Sequence, residues 1–302
     1  MLVTRGWTES PCQGRADSRM IRLRWERFQP DEHQLETGGS PENRQPLVLV
    51  NGLGSPMVRY RIGLVEQFVN RGFDVVRFDN RDAGQSSSTD GRYGLCDMAR
   101  DIASIMDTMG WPTAHVLGMS MGGMIVQQFG VDFGPRARSI TSIMSRTGHP
   151  DYGIPDEAVW EVLRQPSPVD RDGWLDHWVR TEVFWASPEY WDPQQARVIG
   201  AEMFDYGVQP EGSQRQLAAL VQEGNREEAL SKVVVPTLVL HGSADTLIPP
   251  SGGRRTAEVI PNARFVELAG MGHDLPPAYW PRIAELVADH AAASLGESRP
   301  SD

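Results

Sequence analysis

The sequence predicts an α/β fold in which a mostly parallel central sheet is flanked by helices on both faces and interrupted by a helical insertion. Three observations carry this prediction. Short apolar runs alternate with segments of helical spacing, the pattern of repeated strand–helix units. That rhythm breaks between about Gly148 and Lys232 and resumes after Pro236. The 302 residues are 40% hydrophobic and 23% charged, which supplies a large core; the length suits one large α/β domain with an insertion as well as two separate domains.

Taken in order, Ile21–Phe28 alternates apolar and charged residues with period two, as an antiparallel edge strand does. The first twenty residues hold charges and glycine with no continuous apolar segment. They lack the character of a secretory signal and read as a flexible extension, with Met20 an alternative start. Residues 29–45 are polar and rich in Gly and Pro, hence loop. Leu47–Val50 is wholly apolar and suits a strand covered on both faces. A helix from about Arg59 to Asn70, a strand at Phe73–Phe78, a helix over 95–109, a strand at His115–Leu117, a helix at Met124–Phe129 and a strand at Arg138–Ile143 follow. After the insertion come a strand at Thr237–His241, a helix over 252–260, a strand at Arg264–Leu268 and a helix at Trp280–His290. The expected organisation is a core of residues 21–147 and 233–292, a helical cap at 148–232 and a flexible tail at 293–302. Trp160, Trp174, Trp178, Trp185 and Trp191 concentrate in the cap; they either pack it onto the core or line an apolar pocket, and both readings stay open.

The formal charge is 29 − 40 = −11, which disfavours nonspecific binding to nucleic acid or anionic membranes. No run of 18 apolar residues is present, so no membrane-spanning helix is expected, and a cytoplasmic location is the expectation. Cys12 and Cys96 do not make a disulfide framework, and no Cys/His spacing matches a metal site; Cys96 reads as a small buried side chain at a helix start. The oligomeric state is open, a homodimer included.

Chemistry concentrates in three loops. Gly118-Met119-Ser120-Met121-Gly122-Gly123 lies between a predicted strand and a predicted helix. A sharp turn there would lift the Ser120 hydroxyl out of the sheet, with glycines where side chains would collide, and place the Met121 amide at a helix N-terminus. A serine hydroxyl is a poor nucleophile without a histidine to take its proton and a carboxylate to orient that histidine. Asp245, in His241-Gly242-Ser243-Ala244-Asp245, follows a buried strand at the end where open α/β sheets bind ligands. His273, in Ala269-Gly270-Met271-Gly272-His273-Asp274, follows the next strand. Asp274 is a rival acid, but adjacent residues rarely face each other; His241 and His115 read as structural, and His149 as a further histidine able to approach the pocket.

A tetrahedral intermediate needs two preorganised amide donors. Met121 is one candidate. The other is Leu53, in Asn51-Gly52-Leu53-Gly54-Ser55-Pro56 after the strand at Leu47–Val50. A phosphate loop would need a lysine and Ser/Thr after the glycines, and these are missing. Asp79–Ser86, after the strand ending at Phe78, reads as a brace for this loop, with Arg81 and Asp82 a candidate pair and substrate contact the alternative.

With these residues assembled, the chain resembles the α/β-hydrolase superfamily over nearly all of residues 21–292, and within it is most similar to the aclacinomycin methylesterase-like hydrolases. The segments that carry the resemblance are Asn51–Gly54, Arg77–Asp82, Gly118–Gly123, Gly270–Pro276 and, in the insertion, Gln214–Ala219. Asn51 stands where many superfamily members have His, and Asp82 where they often have Gly. The resemblance implies Ser120 as nucleophile, Asp245 as acid, His273 as base, Leu53 and Met121 as oxyanion donors, and no metal or organic cofactor. It implies a serine esterase acting through an acyl-enzyme on a small-molecule ester, with a methyl ester on a bulky apolar polyketide as the suggested substrate. A lactonase, a prolyl aminopeptidase-like hydrolase and a small-molecule receptor that keeps the triad are the alternatives. Met57, Met119, Met121 and Met124 either line an apolar pocket or simply pack.

Overall fold

An eight-stranded sheet forms the centre of the computed structural model, which describes residues 1–11, 20–30, 44–165 and 167–296. The strands are β1 (Leu2–Pro11), β2 (Met20–Gln29), β3 (Gln45–Val50), β4 (Phe73–Phe78), β5 (Ala114–Met119), β6 (Ala137–Ile143), β7 (Thr237–Gly242) and β8 (Arg264–Leu268), in the spatial order β1-β2-β4-β3-β5-β6-β7-β8. The β1–β2 and β2–β4 pairs are antiparallel, and every pair from β4 to β8 is parallel.

Strand β3 shows why the parallel strands read as apolar runs. Its side chains alternate between two buried layers. Leu47 and Leu49 join the cluster around α1 (Ile62–Val69) and α10 (Trp280–Gly296), whereas Val48 and Val50 join the cluster around α2 (Leu95–Thr108) and α3 (Met121–Asp132). Both faces are dry, and each such side chain contributes about 1.5–3 kcal/mol by leaving water. β3 also has β4 on one side and β5 on the other. The chain therefore leaves β3 and β5 in opposite directions, which opens a crevice beyond their carboxyl ends.

Three expectations are corrected here. Residues 2–11, read as a flexible extension, form the edge strand β1, so β2 lies inside the sheet. The ordering contacts come from far away in sequence: Thr8 Oγ1 donates to Thr108 (2.8 Å), Ser10 Oγ to Asp101 (2.5 Å), and Trp7 stacks under the Arg22 guanidinium. Cys96 does stand in the first turn of α2, but it is exposed, because Leu95, Met98, Ala99 and Ile102 take the buried stripe. Helix α10 continues to Gly296, beyond the expected start of the tail at 293, with Ala291 buried against the sheet. Residues 12–19, the greater part of the predicted loop at 29–45, and 297–302 lie outside the described residues.

The insertion folds as α4 (Glu157–Leu163), α5 (Arg171–Glu182), α6 (Pro193–Gly207), α7 (Pro210–Glu223) and α8 (Glu227–Leu230), with no strand among its described residues. Asp156, Asp170 and Asp192 cap α4, α5 and α6 by accepting first-turn amides. Trp174 and Trp178 stack at 5.5 Å around Leu175 and Met203, so these two aromatics pack the cap.

Candidate active site

The turn at the tip of β5 has no room for a Cβ at Gly118 or at Gly122. A Cβ on Gly118 would stand 2.0 Å from the Gly122 carbonyl oxygen, and one on Gly122 would stand 2.1 Å from the Val50 carbonyl oxygen. These contacts let the chain turn from β5 into α3 within one residue. Ser120 itself takes φ 55° and ψ −122°, a strained conformation for a residue with a side chain, and its amide donates to the Ile143 carbonyl (2.9 Å). It is partly exposed amid a buried elbow, while the Met121 and Gly122 amides open α3 directly behind it. An orphan helix N-terminus at that point favours developing negative charge.

Asp245 and His273 meet above neighbouring strands. Register aligns Met119 with Ile143, Ile143 with Leu240, and Gly242 with Leu268, so the loops after β5, β7 and β8 leave the same carboxyl edge. β5 and β7 are separated by β6 alone, a span of about 10 Å at ordinary strand spacing. His273 Nδ1 lies 2.7 Å from Asp245 Oδ2, and both side chains are buried. An ionised carboxylate only accepts, so Nδ1 carries the proton and Nε2 is left with its lone pair. The His273 amide donates to the Trp185 carbonyl (2.6 Å), tying the loop after β8 to the cap.

The other oxygen, Asp245 Oδ1, accepts the amides of Leu247 and Ile248, both at 2.9 Å. His241, read from sequence as purely structural, has Nε2 2.7 Å from the Ile248 carbonyl and 3.3 Å from Asp245 Oδ2. A carbonyl only accepts, so this Nε2 bears hydrogen and also faces the carboxylate. Burial alone pushes the Asp245 carboxyl up. The electrostatic interaction and hydrogen bonds of His273, with those of His241, outweigh it and hold the carboxyl below its ordinary value. Asp274 turns the other way and accepts from the amide (2.9 Å) and hydroxyl of Ser187 in the cap. His149 is engaged with the Asp151 amide and tilts against Tyr152.

The loop after β3 presses against Ser120, since a Cβ on Gly52 would lie 3.2 Å from Ser120 Cβ. Leu53 follows at its exposed crest. The brace expected from the loop after β4 is present. Asp79 Oδ1 accepts the Met57 amide (2.6 Å), Oδ2 accepts the Gln85 amide and the Tyr206 hydroxyl (both 2.9 Å), and Asn80 Nδ2 donates to the Asn51 carbonyl (3.0 Å). Burial raises the Asp79 carboxyl to about 6 despite these donors. Arg81 and Asp82 do not pair with each other. Arg81 forks onto Asp101 with two contacts of 2.7 Å, and Asp82 takes Arg215 of α7 and Thr89. Asp82 stands at φ 64° in this tight turn, and each side chain is claimed by a more distant partner. Met119, Met121 and Met124 belong to the core clusters, so these three pack.

A profile of the alpha/beta hydrolase fold family matches residues 45–276. The chain belongs to that family. It is 29% identical over 282 residues to rhodomycin D methylesterase DnrP of Streptomyces peucetius, covering 82% of this chain and 91% of the relative. Against rhodomycin D methylesterase DauP of Streptomyces sp. strain C5 it is 27% identical over 280 residues, with the same coverage. Among solved structures, esterase RhEst1 from Rhodococcus sp. ECU1013 superposes with a TM-score of 0.73 at 17% identity, covering 99% of this hydrolase and 100% of the esterase. The enol-lactonase of Burkholderia xenovorans LB400 gives 0.66 at 21% identity, with 92% and 97% covered. These structural likenesses establish the hydrolase fold, including its helical cap. Among the described residues, no helix is long and apolar enough to cross a membrane.

Proposed function

We propose that Ser120, Asp245 and His273 form the triad through which this serine-type carboxylic ester hydrolase works, with the Leu53 and Met121 amides as its oxyanion hole. The observation that carries the reading is the buried His273–Asp245 pair, whose fixed tautomer leaves Nε2 as a base above the same sheet edge as the strained Ser120 elbow. In this mechanism His273 Nε2 takes the Ser120 proton as Oγ attacks the ester carbonyl. The oxyanion develops against the amides of Met121 and Leu53, and the imidazolium formed is stabilised by Asp245. Collapse expels the alcohol, which takes its proton from His273. Water, deprotonated by the same nitrogen, then releases the acid and restores Ser120.

The substrate in this proposal is a methyl ester on a bulky, apolar acid. Its support is the likeness to two methylesterases along most of their length. The test is labelling by a fluorophosphonate, followed by intact mass and peptide mapping, with turnover of methyl esters compared with lactones and prolyl amides. One equivalent on Ser120 and none in Ser120→Ala is the expected result. Full esterase turnover by Ser120→Ala would sink the assignment.

A further inference from the structure

We propose that Gln216, on cap helix α7, is a positioning residue that sets the oxyanion loop, so that docking of the cap completes the site. This rests on the assignment of the Leu53 amide above. Helix α7 has an inverted pattern at this point. Leu217 and Val221 face solvent while Gln216 is fully buried. A buried amide is costly unless both its ends are paired, and here both are. Oε1 accepts the Gly54 amide at 2.7 Å, and Nε2 donates to the Arg81 carbonyl at 2.7 Å. One side chain thus joins the oxyanion loop to the loop after β4.

The Gly54 amide belongs to the peptide unit that directly follows Leu53. The loop is otherwise held at Asn51 by Asn80 and at Met57 by Asp79, both from the core. Gln216 grips the crest between those two anchors, and its grip comes from the cap. The helix seats on backbone. Gly54 has φ 63°, and a Cβ there would meet Ser213 Oγ at 2.3 Å; a Cβ on Gly212 would stand 2.1 Å from the Asp82 carbonyl oxygen. Close approach of α7 is therefore built into both surfaces. Movement of α7 away from the core releases the Gly54 amide and with it the orientation of the neighbouring donor.

The test uses the full chain, a chromogenic ester and a trifluoromethyl ketone whose hemiketal adduct with serine carries an oxyanion. Gln216→Met keeps volume and removes both bonds. It is expected to lower kcat by about 10–100-fold, less than or comparable to loss of a whole oxyanion donor, with inhibitor affinity falling in parallel and KM little changed. Folded Gln216→Glu keeps an oxygen for Gly54 and is expected to retain more kcat and inhibitor affinity than Gln216→Met, or to lie within about tenfold of the parent if the Met variant does not fold. Folded Arg215→Met cuts the neighbouring tie to Asp82 without touching Gly54 and is expected to keep kcat within about threefold, since the Thr89 amide and hydroxyl still donate to the buried Asp82 carboxylate. The proposal is overturned if folded Gln216→Met or Gln216→Glu contradicts these expectations, or if Arg215→Met loses as much as Gln216→Met. If the parent chain is not labelled at Ser120, the functional reading itself fails, and that result is obtained before any Gln216 variant is measured.

Discussion

Replacing Asp245 by Asn tests the electrostatic logic of the site, because the surrounding hydrogen bonds dictate which way the new amide must point. Oδ1 receives two backbone amides, from Leu247 and Ile248, at 2.9 Å each. If the Asn NH2 took that position, two buried N–H donors would face a third, at a cost of about 1–3 kcal/mol for each unsatisfied group. The carbonyl oxygen therefore stays on the amides, and the NH2 goes where Oδ2 was, toward His273 Nδ1. His241 cannot adapt to it, since the Ile248 carbonyl holds hydrogen on its Nε2. His273 can, by shifting its proton to Nε2 and accepting at Nδ1. In the proposed triad that tautomer points an N–H at Ser120 and has no lone pair to act as base. The expected loss in kcat is about 10⁴-fold, the magnitude known for such a tautomer reversal in a Ser-His-Asp triad, or about 5.4 kcal/mol at 1.36 per decade. Pre-steady-state acylation by a chromogenic ester reads the loss directly, and denaturant unfolding checks that the variant is folded. A folded Asp245→Asn enzyme retaining a tenth or more of the parental acylation rate would refute the reasoning.

Asp79 should mark the stability curve. Its folded value of about 6 lies above the ordinary value of about 3.9, so its contribution to stability is fully present below the unfolded value and is lost as pH rises through 6. At 1.36 kcal/mol per pH unit the change approaches about 3 kcal/mol, so Asp79→Asn should gain stability relative to the parent by up to that amount between pH 4 and 7, read by denaturant titrations; a constant difference would contradict it. Gly122→Ala drives a methyl group into the Val50 carbonyl at 2.1 Å. It should destabilise by about 3 kcal/mol or more and abolish fluorophosphonate labelling, and a stable, labelled variant would show that the elbow has slack.

The sequence alone determined the parallel sheet, the cap and the three loops that gather at the proposed site. Each depends on a local rule. A strand buried on both faces must be apolar throughout, as at Leu47–Val50, and a one-residue turn from strand to helix must have glycines where backbones touch, as at Gly118 and Gly122. The pairing of Asp245 with His273 was legible for the same reason, since both follow recognisable buried strands whose carboxyl ends share an edge. Tertiary structure decided the partners of polar groups, because such partners lie far apart in sequence and no local periodicity encodes them. Arg81 found Asp101, Asp82 found Arg215, and Ser10 and Thr8 anchored a strand whose own composition promised a loose end. It also turned His241 from a filler at a strand end into a neighbour of the Asp245 carboxylate. Gln216 is the sharpest case. In sequence it is a polar residue on a mostly polar helix. Only the seating of α7 against two loop backbones removes it from water, and that burial gives both ends of its amide a partner.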